Sequence, residues 1–248
     1  MIDLHIHILP GMDDGAETME DALEMAKISL ESGVDTVVAS SHGDLHRYEP
    51  EEFLEKYERR YRDFCRRLAA EHIPLKICRG AEWLVNDSLL HCIRKRKLPT
   101  INGGGYLLAE FYFDSPLHYV MEALEQMTGA GYKLILAHPE RYDFAGRHLE
   151  SLFDLYREGV VLQVNKGSLA GEFGRRAFRA ADYMLANGLA GAVASDAHGP
   201  VMRNPELSET AEILDIHYGN NASDILLTQT PRHILRNAVR RIKQEIED

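Results

Sequence analysis

Short apolar runs rich in β-branched residues alternate with amphipathic stretches along the whole 248-residue chain. The runs are Ile2 to His7, Thr36 to Ser41, Lys76 to Glu82, Tyr106 to Phe111, Leu134 to His138, Val160 to Asn165 and Ala190 to Asp196. They are nearly continuous in apolar residues, the pattern of strands buried on both faces, and each is followed by a helix-like segment. Strand and helix in strict alternation predict an α/β fold, a parallel sheet covered by helices. Seven strands rather than eight predict a distorted, TIM-like (β/α)7 barrel, with a doubly wound open sheet as the alternative. No linker or internal repeat divides the chain, so residues 1–248 are expected to form a single domain.

The helical stretches carry their own signals. The first begins near Thr18, has Glu20 and Asp21 in its opening turn, and stops at Gly33. Its apolar stripe is that of a core-facing helix, and a second copy of the chain as its partner stays open. The second, Pro50 to about His72, is charged and periodic through Phe53, Leu54, Tyr57, Tyr61, Phe64 and Leu68. Others are expected at Asp87–Arg96, Pro116–Ala130, Leu149–Glu158, Arg175–Ala186, Ser208–Tyr218 and Pro231–Glu247.

The metal-type side chains fall at one end of those strands. His5 and His7 end the first, two apart and therefore on one face of a strand. His42 follows the second, Glu82 ends the third, Glu110 lies in the fourth and His138 ends the fifth. Asp196 and His198 close the seventh, again two apart, and Asp14 sits in the loop after the first. The C-terminal end of the strands is where barrels build their sites. A carboxylate inside an apolar run, such as Glu110, is costly unless it is paired. His46, His72, His91, His118, His148, His217 and His233 have no such placement and are read as hydrogen-bonded structural residues, not ligands.

Nine candidate ligands exceed what one ion takes, and imidazole with carboxylate but no thiolate suits manganese, iron or zinc. Three divalent ions against Asp14, Glu82, Glu110 and Asp196 would leave the centre net positive. Arg141 and Arg203 lie close in sequence to His138 and His198 and would add to it. A cationic, oxygen-seeking pocket in an acidic chain selects a phosphate dianion.

Composition narrows the partners. A net charge of −11 argues against broad nucleic-acid binding, and the short basic clusters around Arg59, Arg94 and Arg240 read as solvated helix faces. No apolar run reaches the ~18 residues of a membrane span. The chain enters its first strand without a charged or apolar leader, so a cytoplasmic protein is expected. Three cysteines, Cys65, Cys78 and Cys92, make no disulfide framework. The residues six positions later are Glu71, Leu84 and Leu98, so none has the arginine a cysteinyl-phosphate mechanism requires.

The opening Asp3-Leu4-His5-Ile6-His7-Ile8-Leu9-Pro10-Gly11-Met12-Asp13-Asp14-Gly15 resembles the first motif of the polymerase-and-histidinol-phosphatase (PHP) superfamily. More narrowly, it resembles bacterial manganese-dependent tyrosine-protein phosphatases of capsule and exopolysaccharide loci. The likeness continues through Ser41-His42, Gly80-Ala81-Glu82, Glu110-Phe111, His138-Pro139-Glu140-Arg141, Gly167-Ser168-Leu169-Ala170-Gly171 and Ser195-Asp196-Ala197-His198. It implies a PHP-fold barrel with a trinuclear site. One metal would take His5, His7, Glu82 and Asp196, and a second Glu82, Glu110 and His138. A third would take Asp14, His42 and His198, while Arg141 and Arg203 would hold phosphate. The implied reaction is hydrolysis of phosphotyrosine by a metal-activated hydroxide. The implied partner is the phosphotyrosine-rich tail of a bacterial tyrosine kinase controlling polysaccharide synthesis.

The loop Gly43 to Tyr48 and the pair Asn165-Lys166 depart from the family pattern and bear on substrate preference. The alternatives are a small-molecule phosphomonoesterase of the histidinol-phosphatase type and a non-catalytic PHP binding module. Amidohydrolases and metal-dependent DNases also start from His-x-His. They lean on a second histidine after the sixth strand, where this chain has Asn165.

Overall fold

The computed structural model describes residues 1–95 and 98–236. The expected helix beyond residue 236, the cluster at Arg240-Arg241, and Arg96 and Lys97 lie outside the described residues. Every strand pairing is parallel. The strands are β1 (Ile2–Ile6), β2 (Thr36–Ala39), β3 (His42–Gly43), β4 (Lys76–Arg79), β5 (Glu82–Leu84), β6 (Tyr106–Glu110), β7 (Lys133–Ala137), β8 (Val161–Asn165) and β9 (Ala190–Ala194). They form a sheet of order β1-β2-β4 and another of order β3-β5-β6-β7-β8-β9.

All seven expected runs contain strand, but the second stops at Ala39 with β3 starting just beyond its expected end, and the third breaks into β4 and β5. Tyr57 supplies a physical reason. Its hydroxyl donates to the Ala39 carbonyl at 2.8 Å and accepts from the Gly80 amide at 3.1 Å. A phenol thus takes up two backbone groups at the point where β2 and β4 stop pairing. Ser40 acts similarly towards β1, its hydroxyl accepting from the Ile6 amide at 2.8 Å. Beyond these kinks His42 and Glu82 pair in register. Replacing Tyr57 by phenylalanine strands two backbone groups and is expected to cost roughly 1–3 kcal/mol. Chemical denaturation checks this, and an unchanged midpoint would contradict it.

The end of β9 returns to the end of β1. The Asp196 amide donates to the His5 carbonyl at 2.8 Å and the His7 amide to the Ala197 carbonyl at 2.9 Å. One buried cluster draws Ile2, Leu4, Val38, Cys78, Leu108, Ile135 and Ala192 from both sheets and adds Ile101, Ile234 and Leu235. The two sheets therefore share a core.

The helices are α1 (Met19–Glu31), α2 (Pro50–Ala70), α3 (Asp87–Ile93), α4 (Leu117–Gly129), α5 (Asp143–Arg147), α6 (Ser151–Arg157), α7 (Lys166–Leu169), α8 (Gly174–Ala186), α9 (Ser208–Tyr218) and α10 (Ala222–Asp224). Thr18 and Asp21 form a reciprocal capping box at the start of α1, and Ala22, Leu23, Met25 and Ala26 are its buried face. Helix α2 buries Phe53, Tyr57, Phe64 and Leu68 of the expected periodic set, while Leu54 and Tyr61 are only partly buried. Arg67 pairs with Glu71 on its outer face, and Arg79 of β4 with Glu58. No helix of the described residues is long and apolar enough to cross a membrane.

Candidate metal centre

All nine candidate ligands meet at the C-terminal ends of the strands. Their donor atoms fall into four groups, each within 4.8 Å: His7, Asp14, His42 and His198; His5, His7 and Asp196; His5, Glu82 and His138; His42, Glu82 and Glu110. Glu82 is the hub. Its Oε2 lies 3.2 Å from His5 Nε2, 3.3 Å from His7 Nε2 and 2.9 Å from His42 Nδ1, and its Oε1 lies 3.1 Å from His138 Nε2. Asp196 Oδ1 lies 3.4 Å from His5 Nε2, and Asp14 Oδ1 lies 3.4 Å from His42 Nε2. His42 therefore shows one ring nitrogen to Asp14 and the other to Glu82. The seven histidines set aside in the sequence are all exposed and belong to none of these groups.

Three imidazoles are oriented from outside. The Nδ1 atoms of His5, His7 and His198 lie 2.8 Å from Gln163 Oε1, 2.8 Å from Asp13 Oδ2 and 2.9 Å from the Asp196 carbonyl. With a proton on each Nδ1, every Nε2 lone pair turns inward, as metal-binding histidines require. Asp13 also accepts from the Gly15 and His42 amides, so one carboxylate ties the β1 loop to β3. Gly15 is required there, because a Cβ would sit 2.1 Å from the His7 carbonyl oxygen.

The backbone is bent to serve the cluster. Of five non-glycine residues with positive φ among the described residues, three are His138, Asp196 and Arg203. Left-handed backbone at such residues is uncommon and concentrates at functional sites. His138 precedes Pro139, which starts the short 3-10 turn that carries Arg141. The Arg141 guanidinium lies between the Phe113 and Phe173 rings, 4.5 and 4.1 Å from their centroids. Arg141 Nη1 reaches Asp196 Oδ2 at 3.3 Å and Arg203 Nη2 reaches the same oxygen at 2.5 Å. Asn165 Nδ2 also donates to it.

The donor set fits divalent cations. Glu82 Oε2 is buried with no hydrogen-bond partner despite three imidazole nitrogens around it. Imidazoles and carboxylates packed this closely share protons, and divalent cations can take the place of those protons. Burial pushes the Glu82 carboxyl up, but His5, His138 and His42 outweigh it and hold it well below the usual carboxylate range. Burial pushes the His198 imidazole down to about 4, with His7 adding to the shift. Burial also lowers His7, but Asp13 and Glu82 overcome it and bring the imidazole up to about 10. A cation binding at His7 must therefore displace a proton at neutral pH, and its affinity should rise with pH until His7 has deprotonated. Manganese loading at pH 8 is expected to release protons, seen as calorimetric heats that vary with buffer ionisation enthalpy. Buffer-independent heats would contradict this.

Asp13 and Gln163 join the site only through the fold. Gln163 had a legible signal, a polar residue in the apolar run Val161-Leu162-Gln163-Val164, the criterion that marked Glu110. Asp13 had none that separated it from Asp14. Of the cysteines, Cys78 and Cys92 are buried, and burial raises all three thiols.

The family model for capsular polysaccharide synthesis, CpsB/CapC, matches residues 1–236. Tyrosine-protein phosphatase YwqE of Bacillus subtilis is 33% identical over 239 residues, covering 96% of this chain and 92% of that protein. Tyrosine-protein phosphatase CpsB of Streptococcus pneumoniae is 29% identical over 241 residues, covering 95% and 98%. Among solved structures, those of YwqE and CpsB, unique metal-dependent tyrosine phosphatases, include a chain that superposes with a TM-score of 0.85. It is 33% identical, and the match covers 96% of this chain and 95% of that one.

Proposed function

The chain belongs to the capsular polysaccharide synthesis CpsB/CapC family, and from that premise we propose that it is a metal-dependent protein-tyrosine phosphatase. The observation that carries this reading is the convergence of nine imidazole and carboxylate side chains beside two arginines anchored on one carboxylate. We read the strands as a single-domain, distorted seven-stranded barrel, supported by the β9-to-β1 hydrogen bonds and the core common to both sheets. The proposed ions are three, with manganese first and iron or zinc as alternatives. When bound, they would acidify water near neutral pH and offset phosphoryl charge.

The chain's own groups do the rest. Asp13, Gln163 and the Asp196 carbonyl hold His7, His5 and His198 in the tautomer that presents Nε2. Arg141 and Arg203 stand side by side on Asp196 and offer their remaining N–H donors to the non-bridging phosphoryl oxygens. The two aromatic rings keep the Arg141 plane fixed, so little order is lost on binding. A phenolate leaving group, with pKa ~10, needs less protonation than an alkoxide. The proposed substrate is a phosphotyrosine-bearing polypeptide, such as the tail of a tyrosine kinase acting in polysaccharide synthesis.

Turnover of a phosphotyrosyl peptide against the matched phosphoseryl peptide and histidinol phosphate tests the reading. The phosphotyrosyl peptide is expected to be preferred, and a preference for histidinol phosphate would overturn it.

Lys166 adds a further expectation. Its ammonium donates to Asn204 Oδ1 at 2.9 Å and to the Glu206 carbonyl at 2.8 Å, pinning the loop that carries Arg203. Lys166→Met is expected to lower kcat/KM about tenfold, as outer-shell changes commonly do, with metal content unchanged and partial rescue by Lys166→Arg. Steady-state kinetics with elemental analysis checks this, and a parallel loss of metal would contradict it.

A further inference from the structure

A cleft of about 420 Å³ opens directly on the metal-ligand cluster. Its floor includes Asp14, His42 and Glu110, and its walls include Tyr48, Tyr112 and Phe113. We infer that this cleft is the subsite for the aromatic ring of an aryl phosphate, with Tyr112 and Phe113 as one wall and the 43–48 loop as the other. The inference rests on the phosphatase reading and deepens it by assigning the leaving group a place.

Three observations carry it. The cleft is of a size that holds a small organic group, and Tyr48, Phe111, Tyr112 and Phe113 line it beside Asp44, Arg47 and the metal-type side chains. Tyr112 and Phe113 are adjacent, large and 53% and 41% exposed, although they sit at the mouth of a polar site. Exposed rings gain when a flat apolar group covers them. Phe113 also joins the two halves of the site, since it lines the cleft and lies 4.5 Å from the Arg141 guanidinium. A phosphoryl group held by Arg141 therefore has this aromatic wall beside it. An aliphatic phosphate would fill the same floor and leave the rings uncovered.

The opposite wall comes from a different part of the chain. Tyr48 is half-buried, with the Lys56 ammonium 5.6 Å from its ring centroid, and so is held against α2. It belongs to the segment that joins β3 to α2.

Calorimetry on the manganese-loaded full chain with inorganic phosphate and with phenylphosphonate separates the ring from the phosphoryl group. The wild type is expected to bind phenylphosphonate more tightly than phosphate. Tyr112→Ala and Tyr48→Ala are each expected to weaken phenylphosphonate about three- to tenfold while phosphate stays within about twofold. Tyr112 is exposed, so its variant keeps the test valid if loss of Tyr48 disturbs folding. An unchanged phenylphosphonate-to-phosphate ratio in Tyr112→Ala overturns the inference. Failure of the wild type to hydrolyse a phosphotyrosyl peptide would instead overturn the functional reading, which the binding ratio does not measure.

Discussion

Glu82→Gln is expected to abolish phosphotyrosyl-peptide hydrolysis, with a fall on the order of 10³ or more, beyond the 10–100-fold typical of outer-shell partners. The substitution keeps the shape of the side chain and removes only its charge and one acceptor oxygen. Glu82 is fully buried at the start of β5 and touches His5, His7, His42 and His138 through its two oxygens. An amide there places N–H donors against ring nitrogens that point lone pairs inward, and it removes the charge that offsets bound cations. Metal content by elemental analysis should fall with activity, while circular dichroism stays that of the wild type. A Glu82→Gln protein with full metal and wild-type turnover would contradict the role proposed for this carboxylate.

The second large effect is expected at Arg141. Arg141→Ala should lower kcat by on the order of 10²–10³, the usual consequence of removing one preorganised donor from a charged transition state. Unlike Glu82, it should leave metal content unchanged, because Arg141 contacts Asp196 Oδ2 while Asp196 Oδ1 faces His5 and His7. Arg141→Lys should recover little. A lysine keeps the charge but lacks the planar group that sits between Phe113 and Phe173. Equal activity in the lysine variant and the wild type would show that the planar fork is not what matters.

These residues differ in how legible they were. Glu82, Glu110 and the His5/His7 pair stood out because a strand's two-residue period and its apolar neighbours made them conspicuous. The split of β2/β3 and β4/β5 was not legible. Its cause is the hydroxyl of Tyr57, a helix residue whose periodicity announced only that one side of its ring would be buried. The Arg141 sandwich was equally hidden, since Phe113 and Phe173 sit on loops far apart in sequence and no local pattern joins them. The same holds for Lys166 and Asn204, which meet only because β8 and the loop after β9 end side by side. Short helices such as α5 and α7 escaped for a simpler reason: one turn carries no period to read. In Asp13-Asp14 the residue type gave no choice, and only the fold sent Asp13 to the His7 Nδ1.

The central claim is that this chain removes phosphate through a metal centre and not through a thiol. Chelation of the purified protein, followed by assay on a phosphotyrosyl peptide with and without added Mn²⁺, tests it most directly. Activity should vanish with the metal, return on manganese addition, and be unaffected by thiol alkylation throughout. An activity that survives complete metal removal, or that is lost on alkylation of the thiols, would contradict the account.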